Sequence, residues 1–291
     1  MEVLVSDEPV PPLRDPILVC AFTGWNDAGN AASAAVRTAI GSLDAKLVAH
    51  VDPEEFFDFQ ANRPTIELRE GQTRHVDWPE NRMFAAPAEG AERDLILFDG
   101  TEPNLRWRTF CEAIATTAAD HGASMIVSMG SLIADVVHSL PVPITGIASD
   151  ADLVERLGLE RSNYEGPTGV VGVLHDTCRQ RGMSSASLWA AVPHYVAAVP
   201  NPKASLALVR KLEGITRVAV DASELEAETE RYERQVDRAV KANPEIETMV
   251  SGLEEQQRAG LEELPPTDVP SGDTIAREFE SYLRQQDDED E

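Results

Sequence analysis

Five side chains able to do chemistry stand beside glycine or proline in short polar segments. They are Asp27 in Gly24-Trp25-Asn26-Asp27, Glu102 in Gly100-Thr101-Glu102, Ser131 in Gly130-Ser131, Thr168 in Gly166-Pro167-Thr168-Gly169, and His194 in Pro193-His194-Tyr195. Two acids, two hydroxyls and an imidazole can serve acid–base chemistry, or can hold a small polar ligand. The neighbouring glycines let backbone N–H groups come close to such a ligand. The candidate site is therefore Gly24, Trp25, Asn26, Asp27, Glu102, Gly130, Ser131, Thr168, Gly169 and His194.

Each of these residues also has a structural reading. Asp27 and Asn26 precede a helical stretch, where a short polar side chain caps free N–H groups. Gly24 and Gly29 serve a tight turn. Trp25 reads first as a packing residue. Ser131 lacks a G-x-S-x-G elbow and reads as a helix cap rather than a nucleophile. His194 follows a proline at a strand end and reads as a hydrogen-bonded structural group. Gly166 and Gly169 lack the GK[ST] and the spacing of a phosphate loop. His50, His75, His121, His138 and His175 are scattered, and neither HExxH nor CxxC occurs. No metal and no cofactor are expected. Cys20, Cys111 and Cys178 are far apart in the chain, odd in number and set among apolar residues. They read as buried reduced thiols.

The elements that must place these groups follow from the apolar pattern. Ile17–Phe22 is a continuous apolar run, as expected of a strand covered on both faces. An alanine-rich helix over about 28–41 follows the Gly24–Gly29 turn. Further strands are expected at Lys46–Asp52, Asp94–Phe98, Ser124–Met129, Pro143–Ala148 and Ser185–Val192. Helices are expected over about Arg106–His121, from the Gly166–Gly169 turn to Gly182, and at Pro202–Leu212, with a short one at Asp150–Leu157. Residues 63–87 read as a hairpin inserted between parallel units. Alternating strands and helices imply a mostly parallel sheet flanked by helices. In such sheets ligands bind outside the carboxyl ends of the strands, where four of the five polar segments would lie.

The chain has 291 residues, of which 42% are hydrophobic, so one large core can form. No apolar run approaches the roughly 18 residues of a membrane helix. The N-terminus lacks a basic start and a long apolar core, so a cytoplasmic location is expected. The net charge of −26 argues against nucleic acid or an anionic membrane as partner. Residues 221–291 hold 22 acids and 7 bases and carry most of that charge. The organisation expected is an N-terminal arm (1–15), an α/β core domain (16–220), an acidic helical region (221–286) and a disordered acidic tail (287–291). In the helical region, Leu225, Thr229, Tyr232, Val236 and Val240 form one apolar stripe. Ile246, Met249, Val250 and Leu253 form a second, and Ile275, Phe279, Tyr282 and Leu283 a third. Pro265–Pro270 links the last two.

Three segments, Phe22–Ala32, Gly166–Gly172 and Ser187–Tyr195, resemble the proteasome assembly chaperone type-two family in its bacterial, actinobacterial form. The resemblance covers about residues 15–215. It implies a fold like that of nucleoside phosphorylases and related hydrolases, with a helical C-terminal addition. It also implies homo-oligomers, trimers among them, and protein partners, with proteasome α-subunits those of the eukaryotic and archaeal relatives. Several chaperones of this kind end in a hydrophobic-Tyr-any residue tail. This sequence ends in Asp-Glu-Asp-Glu, so insertion of such a tail into a proteasome ring is not expected. The sequence therefore reads as a non-enzymatic, protein-binding, self-associating module. Its alternative is a nucleoside-phosphorylase or hydrolase-like enzyme using Asp27, Ser131, Thr168 and His194 on a small ligand.

Overall fold

The computed structural model describes residues 4–6, 9, 11–69, 73–149, 153 and 166–262. Its strands in chain order are β1 (Leu4–Ser6), β2 (Ile17–Thr23), β3 (Lys46–Val51), β4 (Thr65–Arg69), β5 (Thr73–Asp77), β6 (Arg82–Ala86), β7 (Leu95–Thr101), β8 (Met125–Ala134), β9 (Ile144–Ala148) and β10 (Ser184–Pro193). The α-helices are α1 (Ala31–Ser42), α2 (Trp107–Asp120), α3 (Val170–Gln180), α4 (Pro202–Thr216), α5 (Ser223–Lys241) and α6 (Pro244–Glu262).

The apolar run of β2 makes it a central strand. Ile17, Val19 and Ala21 point into one core, and Leu18, Cys20 and Phe22 into the other. α1 and α4 cover the first face, and α2 and α3 the second. Ala31, Ala32, Ala35 and Ala39 of α1 are fully buried, so the helix lies close to the sheet. On the opposite face Phe22 packs against Phe98 at 5.6 Å and Phe110 at 6.0 Å, and Phe110 in turn meets Phe56 edge-on. Such rings carry much of a core's apolar burial.

The eight-stranded sheet has the order β1-β3-β6-β7-β2-β8-β10-β9. Its centre, β7-β2-β8-β10, is parallel. Both flanks are antiparallel: β6 against β7, β3 against β6 and β1 against β3 on one side, and β9 against β10 on the other. Two antiparallel steps return β3 to the direction of the parallel strands. The segment between β3 and β6 therefore leaves from the same edge as the loops after β7, β2, β8 and β10. That segment holds β4 and β5, which form a two-stranded sheet of their own.

Several boundaries differ from the sequence expectation. β7 runs on to Thr101, and β8 passes through Gly130 and Ser131 to Ala134. Ser131 therefore caps no helix of its own. The Gly166–Gly169 turn precedes α3, which starts at Val170. The segment expected as an arm supplies β1. The three cysteines, distant in sequence, meet in the core beneath α2 and α3. Burial pushes all three thiols up, Cys111 to about 12 and Cys178 to about 11.

The stripe Leu225, Thr229, Tyr232, Val236 and Val240 on α5 is buried. Tyr232, Val236 and Val240 meet Val250 of α6 and Val137 from the loop after β8, with Tyr195 and Val196 packed alongside. This apolar face covers the chain itself. The expected helix at 150–157, apart from Leu153, lies outside the described residues. So do the linker at 265–270, the third stripe at 275–283 and the tail.

Candidate functional site

The loop between β2 and α1 turns at Gly24, whose φ of 118° suits glycine, and again at Gly29, with φ of 59°. It delivers Asn26 and Asp27 into the protein, 2% and 5% exposed. Asp27 Oδ1 accepts hydrogen bonds from the backbone N–H of Ala32 at 2.7 Å and of Ser33 at 3.3 Å. These N–H groups belong to the first turn of α1 and have no intrahelical partner. Asp27 therefore caps α1, its structural reading. Burial pushes its carboxyl above the ordinary aspartate value, while the hydrogen bonds from Ser33, Ala32 and Ser131 pull it back.

Ser131 is the neighbour of Asp27 through a parallel bridge that prolongs the β2–β8 ladder. Its N–H donates to the Asn26 carbonyl at 2.9 Å, and its hydroxyl donates to the Ala28 carbonyl at 2.8 Å. Its contact with Asp27 Oδ1 is longer, 3.4 Å. The hydroxyl proton is thus held by a peptide carbonyl, which is no base for a nucleophile.

Glu102 follows β7. Its Oε1 accepts from Asn26 Nδ2 at 3.1 Å and from the Val170 N–H, at the start of α3, at 2.8 Å. Gly169 is required by this arrangement, because a Cβ there would stand 2.7 Å from Glu102 Oε1 and 2.8 Å from Asn26 Nδ2. Gly130 is held by a different neighbour: a Cβ would come within 2.6 Å of the Trp189 ring on β10. Gly130 and Trp189 are register partners in β8 and β10.

The remaining candidates do not join this cluster. Thr168 is exposed, and among the described residues its hydroxyl makes a long, 3.4 Å contact with the adjacent Gly169 carbonyl. His194 turns to Asp135, with Nδ1 3.1 Å from Oδ1, and its ring meets Tyr195 edge-on. Trp25, expected as a packing residue, is 47% exposed, because the Gly24 turn places it outside the two cores. A shallow open groove lined by Leu4, Arg108, Glu112, Thr116 and Asp120 lies along α2, away from these loops.

One network had no sequence signal. His138 is buried in the loop after β8, with Nδ1 2.7 Å from Tyr195 Oη and Nε2 3.0 Å from Asp237 Oδ1 on α5. Its backbone N–H donates to the same Tyr195 oxygen at 2.9 Å. Lys203 of α4 donates to the His138 carbonyl and pairs with Glu233 of α5 at 2.6 Å. Asn201 caps α4 through the Ala204 N–H at 3.0 Å and donates to Tyr232 Oη at 3.0 Å. Its own N–H donates to the Gly29 carbonyl at 2.8 Å. The β2–α1 loop, the β8 and β10 ends and the C-terminal helices are thereby fastened together.

A mixed α/β sheet flanked by helices, with a helical pair bonded to its strand-end loops, defines the fold class. The chain belongs to the PAC2 family, whose family model matches residues 21–240. A PAC2 family protein from Streptomyces avermitilis is 42% identical over 81% of this chain and all of its own, with a TM-score of 0.75. A proteasome-assembly chaperone homologue from Mycobacterium tuberculosis is 40% identical, covering 80% of this chain and 99% of its own, with a TM-score of 0.73. An archaeal proteasome activator from Pyrococcus furiosus shares the fold at 20% identity and a TM-score of 0.65, over 82% of this chain and 99% of its own. No curated protein matches. Among the described residues no helix is long and apolar enough to cross a membrane.

Proposed function

We propose that this chain is a proteasome-assembly-chaperone-like, protein-binding and self-associating module of the cytoplasm, and not an enzyme. The observation that carries the reading is how the polar groups at the sheet edge are used. Asp27 caps α1, Ser131 bonds Ala28, and Asn26 and Glu102 bond each other and α3. Polar groups engaged in this way act as rivets between loops; of these four residues Asp27 alone keeps a buried oxygen, Oδ2, without a hydrogen-bond partner among the described residues. The family and the chaperone description of the Mycobacterium tuberculosis homologue support a role in proteasome assembly or regulation. The strongly acidic chain suits protein partners better than nucleic acid.

Affinity capture of the tagged full chain from its host, after mild cross-linking, tests the reading. Proteasome subunits are the expected catch, and their consistent absence removes the chaperone assignment. A melting-temperature screen with nucleosides, nucleotides and phosphate tests the enzymatic alternative. No shift is expected, whereas one abolished by Asp27→Ala would reinstate that alternative.

A further inference from the structure

The helical pair α5–α6 is seated on a small apolar cluster that is separate from the two cores of the sheet: Val137, Tyr232, Val236, Val240 and Val250. α6 brings Val250 to it as a buried side chain, with Ile246 and Leu253 partly buried beside it. Gln257 of α6 adds a hydrogen bond, its Oε1 accepting from the Val137 N–H at 2.9 Å. The start of α5 is anchored differently, by Leu225 in the first core and by the ion pair of Arg210 with Glu226. The seating is thus deep at the start of α5 and thin at α6. Segments that bury little apolar area open at a lower free energy than the core they lie on.

The polar contacts under this pair lead to the β2–α1 loop. Tyr232 Oη accepts from Asn201 Nδ2 at 3.0 Å, and Asn201 is 3% exposed. The Asn201 N–H donates to the Gly29 carbonyl at 2.8 Å, and a Cβ on Gly29 would stand 3.0 Å from the Asn201 Cβ. One buried residue therefore touches both α5 and the loop. Ala28, next to Gly29, is held from the other side by the Ser131 hydroxyl of β8. The loop is thus pinned at Ala28 by the sheet and at Gly29 by a residue that α5 keeps in place. Lifting α5 from Tyr232 strips the buried Asn201 amide of its acceptor. A shift of Asn201, and of the Gly29 that it holds, relieves the cost of that orphaned donor.

We propose that α5 and α6 act as a strap whose seating sets the β2–α1 loop. With the strap down, Asn201 holds Gly29, and the loop is ordered from Asp27 into α1. With the strap lifted at its α6 end, Asn201 is released and the segment from Asp27 to Ser33 loosens. The coupling is reciprocal, as any coupling free energy between two sites must be. A molecule that meets the loop at its exposed Trp25 alters the strap, and one that draws on α6 alters the loop. The device serves any partner of the module, so it does not depend on that partner being a proteasome subunit.

Amide hydrogen exchange of the purified full chain tests this. Tyr232→Phe keeps the ring in its apolar cluster and removes the oxygen that Asn201 meets. Exchange at Asp27, Asn30, Ala32, Ser33 and Asn201 is expected to rise about fivefold, the worth of roughly one hydrogen bond. Amides of β2, which exchange when the whole sheet opens, are the reference against which that rise is counted. Val250→Ala thins the seat of α6 without touching Asn201, and is expected to speed the same loop amides. Gly29→Ala, strained by its φ of 59° and by Asn201, runs the test backwards and is expected to speed exchange in α6. Arg258→Ala, at an exposed position of α6, leaves the loop unchanged. The strap is overturned by loop exchange that stays at the wild-type rate in either Tyr232→Phe or Val250→Ala. It is equally overturned by loop exchange that rises only in step with β2, or by α6 exchange that Gly29→Ala leaves unmoved.

Discussion

Glu102 and Val170, at the end of β7 and the start of α3, are joined by a 2.8 Å hydrogen bond from the Val170 N–H to the Glu102 carboxylate. The same oxygen accepts from Asn26 at 3.1 Å, so one side chain holds three segments of the sheet edge. Glu102→Ala leaves the Asn26 amide and the helix N–H without that acceptor, and is expected to cost about 1–3 kcal/mol in urea unfolding. Glu102→Gln keeps an acceptor oxygen and is expected to lose less. Equal losses would mean that charge, and not the bridging oxygen, is what matters.

Asp27 gives a pH test. Its folded carboxyl titrates above the value of 3.8 that it takes in an unfolded chain, chiefly through burial. The folded state therefore binds the proton more tightly. The stability from this protonation is fully present below about pH 3.8 and is lost as pH rises through the folded value. Asp27→Asn keeps an oxygen for the Ala32 N–H and carries no charge. It is expected to gain on the wild type as pH climbs from 4 to 7. Asp27→Ala removes the cap and is expected to cost about 1 kcal/mol. Urea midpoints at several pH values decide the matter. A wild-type-to-Asn difference that does not change with pH would refute the assignment.

Gly130→Ala sets a methyl group against the Trp189 ring, within 2.6 Å. The ring belongs to the neighbouring strand and must turn aside to make room. A loss of about 1–3 kcal/mol is expected, as for other overpacked core positions. Trp189→Leu in the same chain should recover part of it. Additive losses in the double variant would show that the two positions are not in contact.

The buried thiols are expected to be inert. With Cys111 near 12 and Cys178 near 11, almost no thiolate exists at neutral pH, and Cys20 lies well above its ordinary value too. A chromogenic disulfide reagent should label none of the three in the native chain and all of them in denaturant. Labelling of a native thiol at the rate of a free cysteine would contradict the packing.

The sequence reading succeeded where burial is written as an unbroken apolar run. Ile17–Phe22 is such a run, and it became the central strand with a core on each side. The α5 stripe was equally legible, because its spacing matches the helical period. Strand direction was not, since an apolar run reads alike in either sense. The antiparallel flanks of β3, β6 and β9 therefore came only from the fold. Gly130 and Ser131 resembled a loop because a glycine and a serine mimic a strand end. Here the glycine makes room for Trp189, and the serine ties β8 to the loop after β2. The bonds from His138 to Tyr195 and Asp237 were invisible for another reason. Residues so far apart in the chain leave no local pattern when they meet.

The direction of β3 has a consequence for how such a protein changes over generations. Because β3 runs with the parallel strands, its outgoing loop is free to lengthen at the edge where other molecules would be met. Substitutions or insertions in β4 and β5 alter neither the central ladder nor the two cores. Selection can therefore rewrite this two-stranded ribbon while the scaffold's folding problem stays solved.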